Sequence, residues 1–239
     1  MRHGQIEAAW RGRAECRNCG IRDLVLFADL QEQDFALIHL PIEEIRFEPG
    51  AALFHVGDEG DAVFTVRDGL IKLVQYLPDG TQRIVRLVRP GAVVGLEVLA
   101  GQRYQHAAVV LHPTLVCRIR QQVVDRLNRE TPRLYRQLMA KWHASVNLAD
   151  ECLTELNTGT ARQRLARLFL HLVDDNPDDR CRLLRREDVG ALLSVTTETA
   201  CRVVADFKRA GLVHEEGDNV FRCDRDGLLA VAQGERASD

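Results

Sequence analysis

Cys16 and Cys19 stand two residues apart near the start of the chain, in the stretch AECRNCGIRDLV at residues 14–25. A Cys-x-x-Cys pair can work as a redox couple, or can give two ligands to zinc or to an iron-sulfur cluster. A thiol switch needs a thiolate stabilised by nearby positive charge, and Arg13, Arg17 and Arg22 supply that charge in sequence. A thiol oxidoreductase would hold the pair between a strand and a helix of a βαβ unit, and no such pattern surrounds it. Nowhere else does the sequence assemble a nucleophile, base and orienting group, or a glycine-rich phosphate loop. An enzyme is therefore not expected. Cysteines also occur at 117, 152, 181, 201 and 223, an odd total of seven without the spacing of a secreted disulfide framework. Of these, Cys152, Cys181 and Cys223 read as small buried or surface residues.

A second set of residues suits base reading. In the stretch RREDVGALLSVTTETACRVVADFKRAGLV, a helix, a tight turn and a longer helix follow one another, and HEEGDNVFRC after it reads as a two-stranded wing. The first residues of the second helix of such a unit meet base edges in the major groove. Here they are Thr196, Thr197, Glu198, Thr199, Cys201 and Arg202. Glu198 and Arg202, four apart, share a face. Glutamate can accept from a cytosine amino group and arginine can pair with guanine, so the two could read one G·C pair. The plainer alternative is a surface ion pair worth ~0.3–0.5 kcal/mol. Arg185, Arg186, Lys208, Arg209 and Arg222 flank the motif as candidate phosphate contacts, and Gly211 suits the end of the longer helix.

The elements that position these residues can be read from periodicity. At 239 residues with a net charge of −3, the chain can bury a core without staples and has no global basic footprint, so any DNA contact is local. No signal-peptide stretch and no run of 18 apolar residues is found, so the expected setting is cytoplasmic, without a membrane partner. From about Phe47 to Ile119, short apolar runs alternate with glycine turns at EPG (48–50), VGDEG (56–60), RDG (67–69), PDG (78–80) and RPG (89–91). That pattern predicts a small antiparallel barrel or roll, with a hairpin around Pro78-Asp79-Gly80. Past Thr131-Pro132 the period becomes helical. Tyr135, Met139, Trp142, Val146, Ala149, Leu153 and Leu156 step by four and three, a 3.5-residue seam. It fits either a helix covering the roll or a coiled coil between two copies of the chain. A new helix, ARQRLARLFLHLVDD, begins after Asn157-Thr158-Gly159-Thr160, and the acidic loop at 174–180 separates it from the base-reading section.

The roll FEPGAALFHVGDEGDAVFTVRDGLIKL, the seam helix and the stretch DVGALLSVTTETACRVVADFKRAGLV, in that order, resemble the CRP/FNR family of bacterial transcription regulators over nearly the whole chain. The resemblance implies an α+β fold: an N-terminal cyclic-nucleotide-binding-like β-roll (jelly roll), a long dimerisation helix and a C-terminal winged helix-turn-helix. The expected boundaries are a cysteine-bearing segment at 1–23, the sensor roll at 24–130, the dimerisation helix at 131–157 and the DNA-binding domain at 158–239. It also implies a homodimer on a palindromic operator in double-stranded DNA, with RNA polymerase as a further partner.

The FNR-like branch is the nearer one. Where nucleotide-binding members carry Gly-Glu and Arg-Ser pairs, this sequence has Gly95-Leu96 and Gln105-His106-Ala107, which argues against cyclic AMP; Arg103 is the nearest arginine. The Glu198-x-x-x-Arg202 arrangement resembles that of FNR-like readers, with Cys201 where their serine is usual, and this resemblance implies a TTGAT-like half-site. FNR-type oxygen sensors hold a [4Fe-4S] cluster, and Cys16, Cys19 and Cys117 match three of its four cysteines. The remaining one falls at or near Val25, which cannot bind iron, so Glu15, Asp23 and Asp29 are the candidates for the fourth ligand. The resemblance thus implies a sensor of oxygen, nitric oxide or redox state. A thiol switch, haem on one of His39, His55, His106 or His112, a small organic ligand in the roll, structural zinc, or no cofactor at all are the alternatives. The apolar Val146, Ala149 and Leu153 suggest a constitutive dimer.

Overall fold

The structure is a computed structural model and describes residues 11–13, 26, 34, 38, 40–173 and 178–234. The described residues fall into two compact units, one within 1–75 and 85–148, the other within 76–84 and 149–239.

The first unit is built on an antiparallel sheet. Its strands are β1 (Arg11–Arg13), β2 (Glu43–Phe47), β3 (Ala52–Phe54), β4 (Ala62–Tyr76), β5 (Gln82–Val88), β6 (Val93–Val94) and β7 (Ala107–Arg120). The order is β1-β2-β7-β4-β5, with β3 on β7 and β6 on β4. Strand period 2 sends alternate residues to opposite faces, and both faces of β4 and β7 are buried. Ala62, Phe64, Val66 and Val116 fill the interior of the roll with Phe54 and Tyr104. Val63, Cys117 and Ile119 face the other way, onto Leu26, α1 (Gln121–Glu130) and the first turn of α2 (Pro132–Thr154). Along α1 the buried residues are Val123, Val124 and Leu127, one stripe of the helix.

Two features of the roll depart from the sequence expectation or refine it. Arg67-Asp68-Gly69 does not reverse the chain. The strand β4 runs through it, with register shifts against β7 between Val66 and Leu70. Gly69 has φ +92°, and a Cβ there would lie 2.4 Å from the Pro113 carbonyl oxygen, so the glycine marks a bulge where two strands press together. The Pro78-Asp79-Gly80 turn does form, with Leu77 N donating to Thr81 O at 2.9 Å and Thr81 N to Asp79 Oδ1 at 2.8 Å.

In the second unit, α3 (Ala161–Val173), α4 (Arg186–Leu193), α5 (Thr197–Arg209) and α6 (Arg225–Gln233) surround a sheet of β8 (Arg180–Arg182), β10 (Val220–Cys223) and β9 (Val213–Gly217), in the order β8-β10-β9. Phe169 meets Phe221 edge-on at 5.6 Å and Phe207 at 6.1 Å, and all three rings are fully buried. Thr160 and Gln163 form a reciprocal capping box at the start of α3, Thr160 N donating to Gln163 Oε1 at 2.9 Å and Gln163 N to Thr160 Oγ1 at 3.3 Å. Gly211, at φ +72°, follows α5 as expected. The wing has a third strand, β8, which is too short to be legible as a strand in the sequence. Among the described residues no helix is long and apolar enough to cross a membrane.

Candidate nucleic-acid interface

The turn between α4 and α5 is set by backbone contacts. Val195 N donates to Gly190 O at 3.2 Å, and a Cβ on Gly190 would lie 2.7 Å from Val195 O. Only glycine lets the two segments approach so closely. Ser194 takes the left-handed conformation (φ 57°), and Thr196 caps α5, accepting from Thr199 N at 3.1 Å. The turn is also held from outside. Asn157 Nδ2 donates to Leu192 O at 3.2 Å, Arg164 Nη1 to Leu193 O at 3.0 Å, and Ser194 Oγ to Asn157 Oδ1. Sequence reading missed Asn157 and Arg164 because their partners are carbonyls about thirty residues away.

Along α5, Ala200, Val203, Val204 and Phe207 are buried at i, i+3, i+4, i+7. Thr197, Glu198, Cys201 and Arg202 are exposed. Glu198 and Arg202 make no ion pair among the described residues, so the plain alternative of a surface salt bridge is not what the structure displays. Thr196 and Thr199 also bond to each other at the start of the helix. Thr196 Oγ1 donates to Thr199 Oγ1 at 2.9 Å and Thr199 is half-buried, so this pair builds the helix cap. Of the flanking cations, Lys208 pairs with Glu215 at 2.7 Å, Arg222 with Glu216 at 3.1 Å and Arg209 with Asp206, while Arg186 stacks over Phe221 at 5.9 Å. Exposed pairs of this kind are worth ~0–1 kcal/mol and yield readily to a phosphate. Arg185 is exposed just ahead of α4.

Most of the N-terminal sensor residues, Cys16, Cys19, Glu15, Asp23, Val25 and Asp29, lie outside the described residues, as does His39. Cys117 is buried in β7 and stands opposite Thr65 of β4 and Glu44 of β2. Thr65 is buried too, and its hydroxyl has no hydrogen-bond partner among the described residues. An unsatisfied buried hydroxyl costs about 1–3 kcal/mol. Leu26, seven residues after Cys19, packs in the same core as Cys117.

Inside the roll, Tyr104 is part of the buried core. Its ring stacks on Phe54 at 3.8 Å, lies against Gly60 and Gly95, and its hydroxyl donates to Ala62 O at 2.7 Å. Arg103 turns outward, donating to Gly57 O at 2.9 Å and pairing with the exposed Glu59. His106 is half-buried, and burial, with Arg86 nearby, pushes its pKa down against the pull of Glu97. Burial also lowers Arg86, which donates to Ser145 O at 3.4 Å, and Lys141, which donates to Gly91 O at 2.9 Å.

On α2, Tyr135, Met139, Trp142, Val146 and Leu153 form an exposed apolar row, with Leu153 66% accessible and Ala149 half-covered. Leu156 is not part of it. The helix ends at Thr154, and Leu156 turns into the protein at 4% accessibility. The chain leaves helical geometry there, so the 3.5-residue step no longer describes where side chains point. Tyr135, Met139 and Trp142 also border a half-open cavity of about 190 Å³, lined as well by Leu96, Leu99 and Leu138.

Comparison with known proteins bears on both units. A family model described as cyclic nucleotide-binding domain matches residues 44–130, and one described as Crp-like helix-turn-helix domain matches residues 163–231. The transcriptional activator protein FnrA of Stutzerimonas stutzeri is 29% identical over 236 residues, 96% of this chain and 97% of the relative. The transcriptional activator protein Anr of Pseudomonas aeruginosa is 29% identical over 230 residues, 93% of this chain and 94% of the relative. Among solved structures, FixK2 from Bradyrhizobium japonicum is similar with a TM-score of 0.73 at 22% identity, over 84% of this chain and 100% of that one, a likeness of fold. The chain belongs to the CRP/FNR family of bacterial transcription regulators, with curated relatives of the FNR and Anr type. That family consists of DNA-binding regulators, not enzymes.

Proposed function

We propose that this chain is a cytoplasmic, homodimeric regulator that reads a palindromic, TTGAT-like operator and couples that reading to oxygen, nitric oxide or redox state. The outward row of Glu198, Cys201 and Arg202 on a helix whose opposite face is buried carries the DNA reading. Glu198 accepts from a cytosine amino group and Arg202 donates to guanine, while Arg185, with Lys208 and Arg222 released from their carboxylates, meets phosphates. The exposed apolar row from Tyr135 to Leu153 supports pairing of two α2 helices, which sets two reading helices on one face of the duplex. The two relatives described above are named transcriptional activators, which supports RNA polymerase as a partner. The working division is a cysteine-bearing segment at 1–23, a sensor roll at 24–130, a dimer helix at 131–157 and a DNA-binding domain at 158–239.

The described part of the sensor site fits an iron-sulfur cluster. Cys117 offers a soft thiolate from a buried strand, and the orphaned Thr65 hydroxyl across from it can donate to a sulfur atom. Cys16 and Cys19, with Cys117, would hold the cluster, and a carboxylate such as Asp23, Asp29 or Glu15 would complete it. The group supplies reactivity toward oxygen and nitric oxide. The roll favours this over a cyclic nucleotide, since Tyr104 occupies its interior and Arg103 is committed to Glu59 and Gly57 on the outside.

The test is anaerobic purification followed by an absorption spectrum and iron, sulfide and zinc analysis, before and after air. Broad absorbance near 400 nm that bleaches in air, with iron and sulfide in about equal amounts, is the expected result. A colourless, iron-free protein whose DNA binding ignores air would contradict the sensing half and leave the DNA-reading half standing. Attention would then pass to the cavity beside Trp142 as a place for a small apolar ligand.

A further inference from the structure

The wing sheet carries two cysteines on one face. In the pairing of β8 with β10, Cys181 stands opposite Phe221, and Cys223 N donates to Asp179 O at 2.9 Å. Cys181 and Cys223 are thus diagonal neighbours on the same side of the sheet. Their sulfurs are 3.8 Å apart and both residues are buried. A disulfide needs about 2.05 Å between sulfurs, and diagonal neighbours start with Cα atoms about 7–8 Å apart, so closing the gap takes side-chain rotation together with a small shift of β8 against β10. The two thiols are not equivalent. Hydrogen bonding to Cys223, together with burial, keeps the Cys181 thiol protonated far above the ordinary range. The same bond draws the Cys223 pKa down, against burial and the charge of Asp179, with help from Arg225. The nearby Arg225 charge makes Cys223 the candidate nucleophile and Cys181 the candidate resolving thiol.

We propose that Cys181 and Cys223 are a redox-active dithiol, converted by hydrogen peroxide to a disulfide that staples the DNA-reading unit. The Cys223 thiolate attacks one peroxide oxygen, the O–O bond breaks, and the leaving hydroxide takes a proton to become water. The Cys223 sulfenic acid is then attacked by the Cys181 sulfur, the S–S bond forms, and the sulfenic oxygen leaves as a second water. Two thiols and one peroxide give one disulfide and two waters. The residues are 42 positions apart, and the loop so closed contains α4, α5 and β9, with Glu198, Cys201 and Arg202 inside it. This input is separate from the N-terminal cysteines, and Phe221 of β10, opposite Cys181, ties it to the core of the unit through Phe169.

The experiment treats the full chain with hydrogen peroxide, blocks remaining thiols in denaturant, digests without reductant and analyses the peptides by mass spectrometry. The expected product is a linked pair of peptides carrying Cys181 and Cys223, two hydrogens lighter than their sum and absent after dithiothreitol. The exposed Cys201 is the internal reference. Its oxidation while Cys181 and Cys223 remain alkylatable would overturn the proposal. In Cys181→Ser, whose hydroxyl keeps a hydrogen-bond donor beside Cys223, dimedone should label Cys223. Labelling confined to other cysteines in the folded variant would overturn the assignment of the nucleophile. The triple variant C16S/C19S/C117S should still form the link, and its loss there would overturn the independence of the two inputs. Should either variant fail to fold, the wild-type peptide analysis decides alone.

Discussion

Replacing Gly190 by alanine sets two effects against each other at one position of the helix-turn-helix. Alanine is favoured over glycine inside a helix by about 0.8–1.0 kcal/mol. The new methyl, however, would sit 2.7 Å from the Val195 carbonyl oxygen and 3.5 Å from Thr197 N, both backbone atoms that cannot swing aside. Opening the turn to an ordinary C···O contact of about 3.3 Å breaks the Val195 N to Gly190 O hydrogen bond, 3.2 Å long, which costs ~1 kcal/mol. Forcing a methyl into packed surroundings costs about 1–3 kcal/mol more. The clash wins, with a net loss of about 1–3 kcal/mol. Calorimetry of the full chain should show the transition of the second unit lowered by roughly 4 °C or more, at about 4–8 °C per kcal/mol for a unit of this size. Binding to a specific duplex should fall with it, because the start of α5 must move to admit the methyl. A transition unchanged or raised would mean that propensity prevails and that the close approach at the turn is not present.

Further expectations follow from the roll and the seam. Tyr104→Phe removes the donor at 2.7 Å from the Ala62 carbonyl while keeping the stack on Phe54, and should lower stability by about 1–2 kcal/mol in denaturant titration. Val146→Glu places two like charges across the proposed dimer axis, and sedimentation equilibrium should show the dimer weakened by roughly two decades, about 3 kcal/mol. Since the folded His106 titrates below its ordinary value near 6.5, the unfolded chain binds the extra proton first. The roll should lose stability as pH falls from about 6.5 toward the lower folded value, and His106→Gln should flatten that loss in pH-dependent unfolding.

Much of the architecture was legible because it rests on local chemistry. The glycine turn at 78–80, the switch to helical period after Thr131-Pro132 and the helix-turn-helix all follow from near neighbours in sequence. The departures come from partners that local patterns do not contain. Gly69 looks like a turn residue until Pro113 and Thr114 of β7 press against it and make it a bulge. Leu156 keeps the seam's spacing, but the helix has already ended and the side chain is drawn inside. The hydroxyls of Thr196 and Thr199 close the cap of α5, a role that their place in the motif does not disclose. Cys181 and Cys223 lie 42 positions apart, and only the β8–β10 register brings them together. Likewise the orphaned Thr65 hydroxyl becomes meaningful only once Cys117 stands opposite it.

The most direct test of the DNA-reading account is selection from random duplex DNA with the anaerobically purified full chain, with Glu198→Ala and Arg202→Ala run beside it. The account predicts an inverted repeat whose half-sites are centred about 10 base pairs apart or at a multiple of that, with preference at one G·C pair of each half-site lost in both variants. Enrichment of an unpaired or directly repeated site, or a G·C preference that survives both substitutions, would contradict it.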